Sequence, residues 1–392
     1  MKKILFLSIC VLSVLSACKK KAEGYTLTVI SGDGQSGEVN STLPEPVRVQ
    51  LLRGEEEIGY KQVKFETSTG QILTATTDDQ GIAEFTWVIG CEAGPQSASI
   101  TALDPGVVFA TTVAKATGTV PASGWYKPCG IPATSLYFAF IFQSNSGKLF
   151  AAGSQSVYAS DDQGKYWYEV SGLSGVYRMK QFGNTLYALG NNGILRSQND
   201  GIVWQSWTPL AATELARNSS RWYATRGNGD MVYSDDEGLN WLNCKGNFTA
   251  QNLQFMFTTP ADIVVGASAT GLYYFEDDSL LKRYPLSDNT LGYHEGNTLY
   301  FGYQGNVQSA QDTLFAASGP YWNFSAGSGA SRNLKKYNGS MYASQFADLY
   351  KYGTPGVFFS SPQLNARLLD YVVLADGTLI LSYEGIGLVR KQ

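Results

Sequence analysis

The stretch SDDQGKYW at Ser160–Trp167 returns twice, as SQNDGIVW at Ser197–Trp204 and as SDDEGLNW at Ser234–Trp241. Both intervals are 37 residues. A fixed period of that size marks a chain assembled from repeated supersecondary units. The mechanics of each copy are local. Ser160, Ser197 and Ser234 hydrogen-bond within the turn to Asp162, Asn199 and Asp236, and Asn199 keeps an acceptor where the other copies have a carboxylate. Gly164, Gly201 and Gly238 supply a residue with φ > 0, and Trp167, Trp204 and Trp241 pack between units. All twelve residues therefore read as structural.

Outside these turns the repeat continues in weaker form. Its second strands fall at Lys148–Ala152, Thr185–Ala188, Arg221–Thr225, Asp262–Gly266, Thr298–Gly302, Ser340–Ser344 and Thr378–Ser382, spaced by about 36 to 42 residues, the size of a four-stranded blade. The last unit stops after its third strand, Gly387–Arg390, while Gly124-Trp125-Tyr126-Lys127 looks like the strand after the first turn, Tyr166-Trp167-Tyr168-Glu169. Residues 124–130 are thus expected to complete blade 7, leaving no open sheet edge on the ring. The expectation is an all-β chain whose residues 119–392 form a seven-bladed β-propeller closed by strand exchange. The S-x-D-x-G-x-x-W pattern resembles the Asp-box, or BNR repeat, of sialidase-like and photosystem-assembly-factor-like propellers. That architecture hosts hydrolases, adhesins and assembly scaffolds, so the resemblance implies a fold and not an activity.

Residues 25–118 read as a separate β-sandwich, with alternating apolar positions such as Val47, Val49 and Leu51 and turn residues every 8–12 positions. TDDQGIAEFTW at Thr77–Trp87, with SGDGQSG at Ser31–Gly37 and Leu43-Pro44-Glu45-Pro46, resembles invasin-type bacterial Ig-like domains. Asp78 to Gly81 makes the turn and the following strand delivers Trp87 to the core. The resemblance implies a spacer or stalk.

The chain opens with Lys2, Lys3 and an apolar run from Ile4 to Leu15, too short for the ~20 residues of a membrane span. Leu15-Ser16-Ala17-Cys18 resembles a bacterial lipobox. The expectation is a signal peptide at 1–17, a lipidated Cys18 that holds the protein at the membrane, and a polar tether at 18–24. Lys19-Lys20-Lys21 lacks the acidic run of many surface-exported lipoproteins of the Bacteroidota, a group this architecture resembles. The periplasmic side of the outer membrane is favoured over the cell surface. Removing residues 1–17 moves the formal charge from −4 to −6. An acidic chain without a basic run argues against a nucleic-acid partner. His294 is the single histidine and no cysteines have C-x-x-C spacing, so neither a metal nor another cofactor is expected. Cys91 and Cys129 either pair or stay apart; Cys244 is then left over.

For chemistry, the Asp-box turns lie on the rim away from the family's ligand face. Sialidases of this superfamily need three arginines; Arg226 and Arg332 are the candidates in ligand-face loops, too few for that activity. Glycoside hydrolysis needs two carboxylates beside the scissile bond. Asp230, Asp348 and Glu384 sit in ligand-face turns, and Asp348 and Glu384 are the pair on adjacent blades. Gly319–Gly329 carries Tyr321, Trp322 and Phe324, either exposed for a sugar or protein contact or tucked down as a cap. The favoured reading is a lipid-anchored envelope protein that binds a glycan or an envelope protein without catalysis. The alternative is a glycoside hydrolase-like enzyme using the face carboxylates.

Overall fold

In the computed structural model the described residues are 24–104, 107–132, 134–153, 155–245, 253, 255–268, 271–276, 279–285, 293–295, 298–303, 306–311, 332–351, 359–360 and 366–392. Cys18 with its leader and tether, and the Gly319–Gly329 loop, lie outside them. All regular structure among the described residues is β-strand, and the chain divides after Thr119 into two compact units.

The amino-terminal unit holds two sheets. One joins Tyr25–Ser31, Val47–Arg53, Glu56–Glu57 and Ile82–Phe85; the other orders Gln35–Glu38, Val107–Thr119, Gly94–Asp104, Gln62–Thr67 and Ile72–Thr76. Val47, Val49 and Leu51 are buried at alternate positions, as a strand with one face on a core requires. Asp78 accepts from the backbone N–H of Gln80 (2.9 Å) and Ile82 (2.8 Å) and so closes the turn. Gly81 follows at φ +74°, and a Cβ there would lie 2.6 Å from the Leu51 carbonyl oxygen. Just past the next strand, Trp87 is buried edge-on to Phe65, which also stacks on Phe85.

The carboxyl-terminal unit contains seven sheets among the described residues, numbered here in chain order. The first runs Phe138–Gln143, Leu149–Gly153, Val157–Ser160 and Tyr168–Glu169. The second (Val176–Phe182, Thr185–Gly190, Gly193–Ser197, Gln205–Thr208) and the third (Ala212–Arg217, Trp222–Arg226, Met231–Ser234, Leu242–Asn243) repeat this antiparallel meander. The fourth starts at Phe255–Thr258 and the sixth at Arg332–Tyr337, each with four strands; the fifth, from Tyr293–Glu295, has three described strands. Second strands carry runs of buried apolar residues: Leu149, Phe150, Ala151 and Ala152 are all buried, as are Leu379, Ile380 and Leu381. Continuous burial rather than alternation follows from a sheet covered on both faces, and each large side chain so buried contributes about 1.5–3 kcal/mol.

In the seventh sheet the order is Trp125–Tyr126, Gly387–Lys391, Leu379–Tyr383, Leu368–Val373. The outermost strand therefore comes from the beginning of the unit, with Trp125 opposite Lys391 and Tyr126 opposite Arg390. Beyond it, Cys129 makes a parallel bridge to Tyr166, just before the first sheet's last strand, much as Lys245, after the third sheet's last strand, bridges to Ser279 of the fourth. Residues 125–129 thus run like any other outer strand handing the chain to the next sheet.

Candidate functional site

The three repeated turns share one hydrogen-bond scheme. Ser160 Oγ donates to Asp162 (2.8 Å) and accepts from Gly164 N–H (2.8 Å), while Asp162 also accepts from the N–H of Lys165 and Tyr166. Ser197 with Asn199 and Ser234 with Asp236 repeat the Ser-to-acceptor and Gly-to-Ser bonds. In each copy the tryptophan Nε1–H closes back on the glycine carbonyl. Not only the glycines but the residues before them, Gln163, Asp200 and Glu237, have positive φ. The glycine is required twice over, because Cβ atoms at Gly164, Gly201 and Gly238 would lie 2.6, 2.5 and 2.4 Å from side chains of Ile380, Phe150 and Trp207 of the preceding sheets. Trp167 is fully buried among residues of the first and seventh sheets.

The opposite end carries the turns between second and third strands. Arg226, in the third sheet, reaches Asn243 (3.3 Å) and lines a groove of about 520 Å³ with Thr208, Pro209 and Trp241. Asp230 is hydrogen-bonded to Asn228 in its own turn. Asp348 and Glu384 fall on the sixth and seventh sheets, and Tyr383 Oη donates to the Ala347 carbonyl between them (3.2 Å). Glu384 pairs with Arg367 (3.3 Å), while burial and then the Asp348 charge raise the proton affinity of the Tyr350 phenol. Arg226 is not part of this group. Arg332 opens a first strand, and His294 lies in the strand Tyr293–Glu295.

First strands surround a cavity of about 600 Å³ lined by Phe140, Phe142, Tyr177, Phe255 and Phe257 together with Arg178, Lys180, Lys335 and Asp370. Sequence reading missed its polar groups. Glu214, with a side chain 1% exposed, pairs with Arg178 and with Lys180 (2.8 Å), and accepts from Met256 N–H (3.0 Å). Lys180 in turn donates to the Met256 carbonyl (2.9 Å). Asp370 repeats the pattern: it pairs with Lys335 (2.6 Å) and accepts from Ile141 N–H (2.7 Å), while Lys335 donates to the Ile141 carbonyl (3.1 Å). Registers show the equivalence. Lys180 and Lys335 face Tyr187 and Tyr342, and Glu214 and Asp370 follow a bulge opposite Thr225 and Ser382. Two relays, each spanning three sheets by way of a lysine, an acid and a backbone amide, thus recur four sheets apart. Burial pulls the Lys180 ammonium below its ordinary pKa against the attraction of Glu214. Asp370 inside the otherwise apolar Leu368–Val373 was the available sequence signal.

Among the described residues no three His, Cys, Asp or Glu side chains are grouped to hold a metal, and no helix is long and apolar enough to cross a membrane. No protein-family model matches the sequence, and no curated protein matches it. Solved structures do. Virginiamycin B lyase from Staphylococcus aureus with quinupristin is similar over 68% of this chain and 98% of its own (TM-score 0.54, 11% identity). YCF48 from Cyanidioschyzon merolae matches over the same shares (TM-score 0.51, 11% identity) and has also been solved bound to a D1 peptide. The extracellular domain of the two-component system BT4673 from B. thetaiotaomicron is similar over 68% of this chain and 39% of that one (TM-score 0.50, 14% identity). At these identities the likeness establishes the fold: this is an all-β chain with the architecture of the β-propellers.

Proposed function

We propose that the chain is a lipid-anchored binding or scaffold protein of the cell envelope, whose propeller presents a ligand or partner face on an Ig-like spacer. The observation that carries this is the ion pair that holds Glu384, one of the two face carboxylates on adjacent blades: it pairs with Arg367 at 3.3 Å. A glycoside hydrolase needs one carboxyl free to give a proton and another free to attack or activate water. A pair in which one carboxylate is already held by a neighbouring guanidinium suits a rigid recognition surface better. The structure of YCF48 with a D1 peptide is in keeping with a propeller used for binding.

The finer architecture belongs to the same proposal. We read the seven sheets as seven blades of one ring, since first strands contact the next from the first sheet to the fourth and from the fifth to the seventh, and the seventh sheet packs on the first. The Ser-Asp-Gly-Trp turns are read as Asp-boxes, residues 25–118 as an Ig-like sandwich and Cys18 as the lipidated residue of an outer-membrane lipoprotein facing the periplasm. Incubating the protein with envelope extracts and with chromogenic glycosides tests the function. Specific capture without turnover is the expected result. Turnover that disappears in Glu384→Gln would replace this reading with the enzymatic one.

A further inference from the structure

Phe346 occupies a backbone position suited to glycine. It is the first residue of the two-residue turn between Ser340–Gln345 and Asp348–Lys351, where Gln345 pairs with Asp348. Its φ is +49°. Short hairpin turns take Gly, Asn or Asp at such positions, and a bulky side chain there is an outlier. Burial does not compensate, because Phe346 is 67% exposed and enters no ring contact among the described residues. Among the described residues the other aromatic at positive φ, Tyr60, belongs to the amino-terminal unit.

The turn is nevertheless rigidly held. Phe346 O accepts from Leu368 N–H of the next blade (2.7 Å), Ala347 O accepts from Tyr383 Oη, and Glu384 N–H donates to Arg367 O (2.9 Å). These bonds gather Asp348, Arg367 and Glu384 around the turn. Strained positions persist where the surroundings enforce them, and they concentrate at functional sites.

We propose that Phe346 is the stacking platform of a neutral-saccharide subsite, with Asp348 and the Arg367–Glu384 pair as hydroxyl partners. The proposal rests on the binding reading above and narrows its ligand. A pyranose has an apolar C–H face and a rim of hydroxyls that both donate and accept. An exposed ring supplies the surface for the face, while planar carboxylate and guanidinium groups supply paired acceptors and donors for the rim. Two carboxylates against one guanidinium disfavour an acidic sugar. A protein partner fits less well, since an aromatic anchor at a protein interface sits in surroundings that exclude water, whereas the side chains gathered here are charged.

The test titrates the detergent-extracted full chain with cellopentaose, laminaripentaose, mannopentaose and xylopentaose, and records melting temperatures in parallel. At least one sugar should bind. Phe346→Gly should weaken that binding at least tenfold with an unchanged or higher melting temperature, because glycine accepts the positive φ without strain. Phe346→Trp should retain binding, and Ile202→Ser, in the exposed turn Ser197–Trp204, should leave it untouched. Binding that survives Phe346→Gly would overturn the proposal, as would a marked fall in melting temperature, which would make the ring a local cap. If no pentasaccharide binds while envelope extracts still yield a captured protein, the saccharide inference fails and the broader binding reading stands.

Discussion

At Asp236 the turn chemistry becomes measurable. The Asn240 N–H, then the Asn240 side chain and the Ser234 hydroxyl hold this carboxyl below the ordinary carboxylate range. A depressed folded-state pKa stabilises above the unfolded value, and that stabilisation is lost as pH falls through the folded one. Asp236→Asn should therefore be less stable than the parent at neutral pH, with the gap closing below about pH 4, where the unfolded carboxyl takes up its proton. Urea titrations between pH 7 and 2 would show it; a gap that stays constant in acid would mean the charge contributes nothing. The second copy carries Asn199 at the equivalent position, with its Val203 N–H bond intact (2.9 Å), so the substitution should fold. These turns were legible in the sequence because the serine, acceptor, glycine and tryptophan bonds that shape them join residues two to four apart. One refinement was not: the positive φ at Gln163, Asp200 and Glu237 falls on three different side chains and leaves no compositional mark. The residues just before the cross-strand partners of the three turn serines are a similar case. Lys148 pairs with Asp161 and Arg221 with Asp235, and the second copy has Thr185 and Gln198 instead. The charges change together within one chain, as pairing across a strand demands.

At the level of strands, the two relays tie non-consecutive sheets together through groups far apart in sequence. Removing one partner of a buried ion pair leaves an uncompensated charge and costs about 3–5 kcal/mol. Arg178 and Lys180 are partly open to the cavity, so Glu214→Gln should cost somewhat less, about 2–3 kcal/mol. Asp370→Asn should cost about the same, since its surroundings repeat those of Glu214. Replacing both Lys335 and Asp370 by Met and Leu should be milder than Asp370→Asn alone. Chemical denaturation of the three variants checks this, and a double variant worse than the single one would remove the charge argument. Strand positions were readable because buried strands are written as apolar runs, and Thr185, Thr298 and Ser340 begin second strands as expected. The relays were not readable. A lysine in Val176–Phe182 finds its acid in another strand and its amide in a third, and a single strand does not encode which neighbours the ring will bring to it. Phe346 was visible as a letter in QFAD, but its backbone conformation was not.

On the scale of the whole molecule, attachment is the claim most open to direct test. Cys18→Ala should shift the protein from the membrane to the soluble fraction or leave an unprocessed precursor, read by fractionation and gel migration. A variant that fractionates and migrates like the parent would dispose of the anchor. Protease added to intact cells should leave the propeller untouched if it faces the periplasm.

The seventh sheet has a consequence for how the chain could be cut and rejoined. Gln392 N–H donates to the Gly124 carbonyl (3.1 Å), so the two ends of the carboxyl-terminal unit lie side by side. A short peptide could join them, and new ends could then be opened in a surface loop, as circular permutation allows when termini are adjacent. Gene order around such a ring is a matter of where translation happens to start. The same adjacency means that anything appended after Gln392 emerges beside the point where the chain enters the ring.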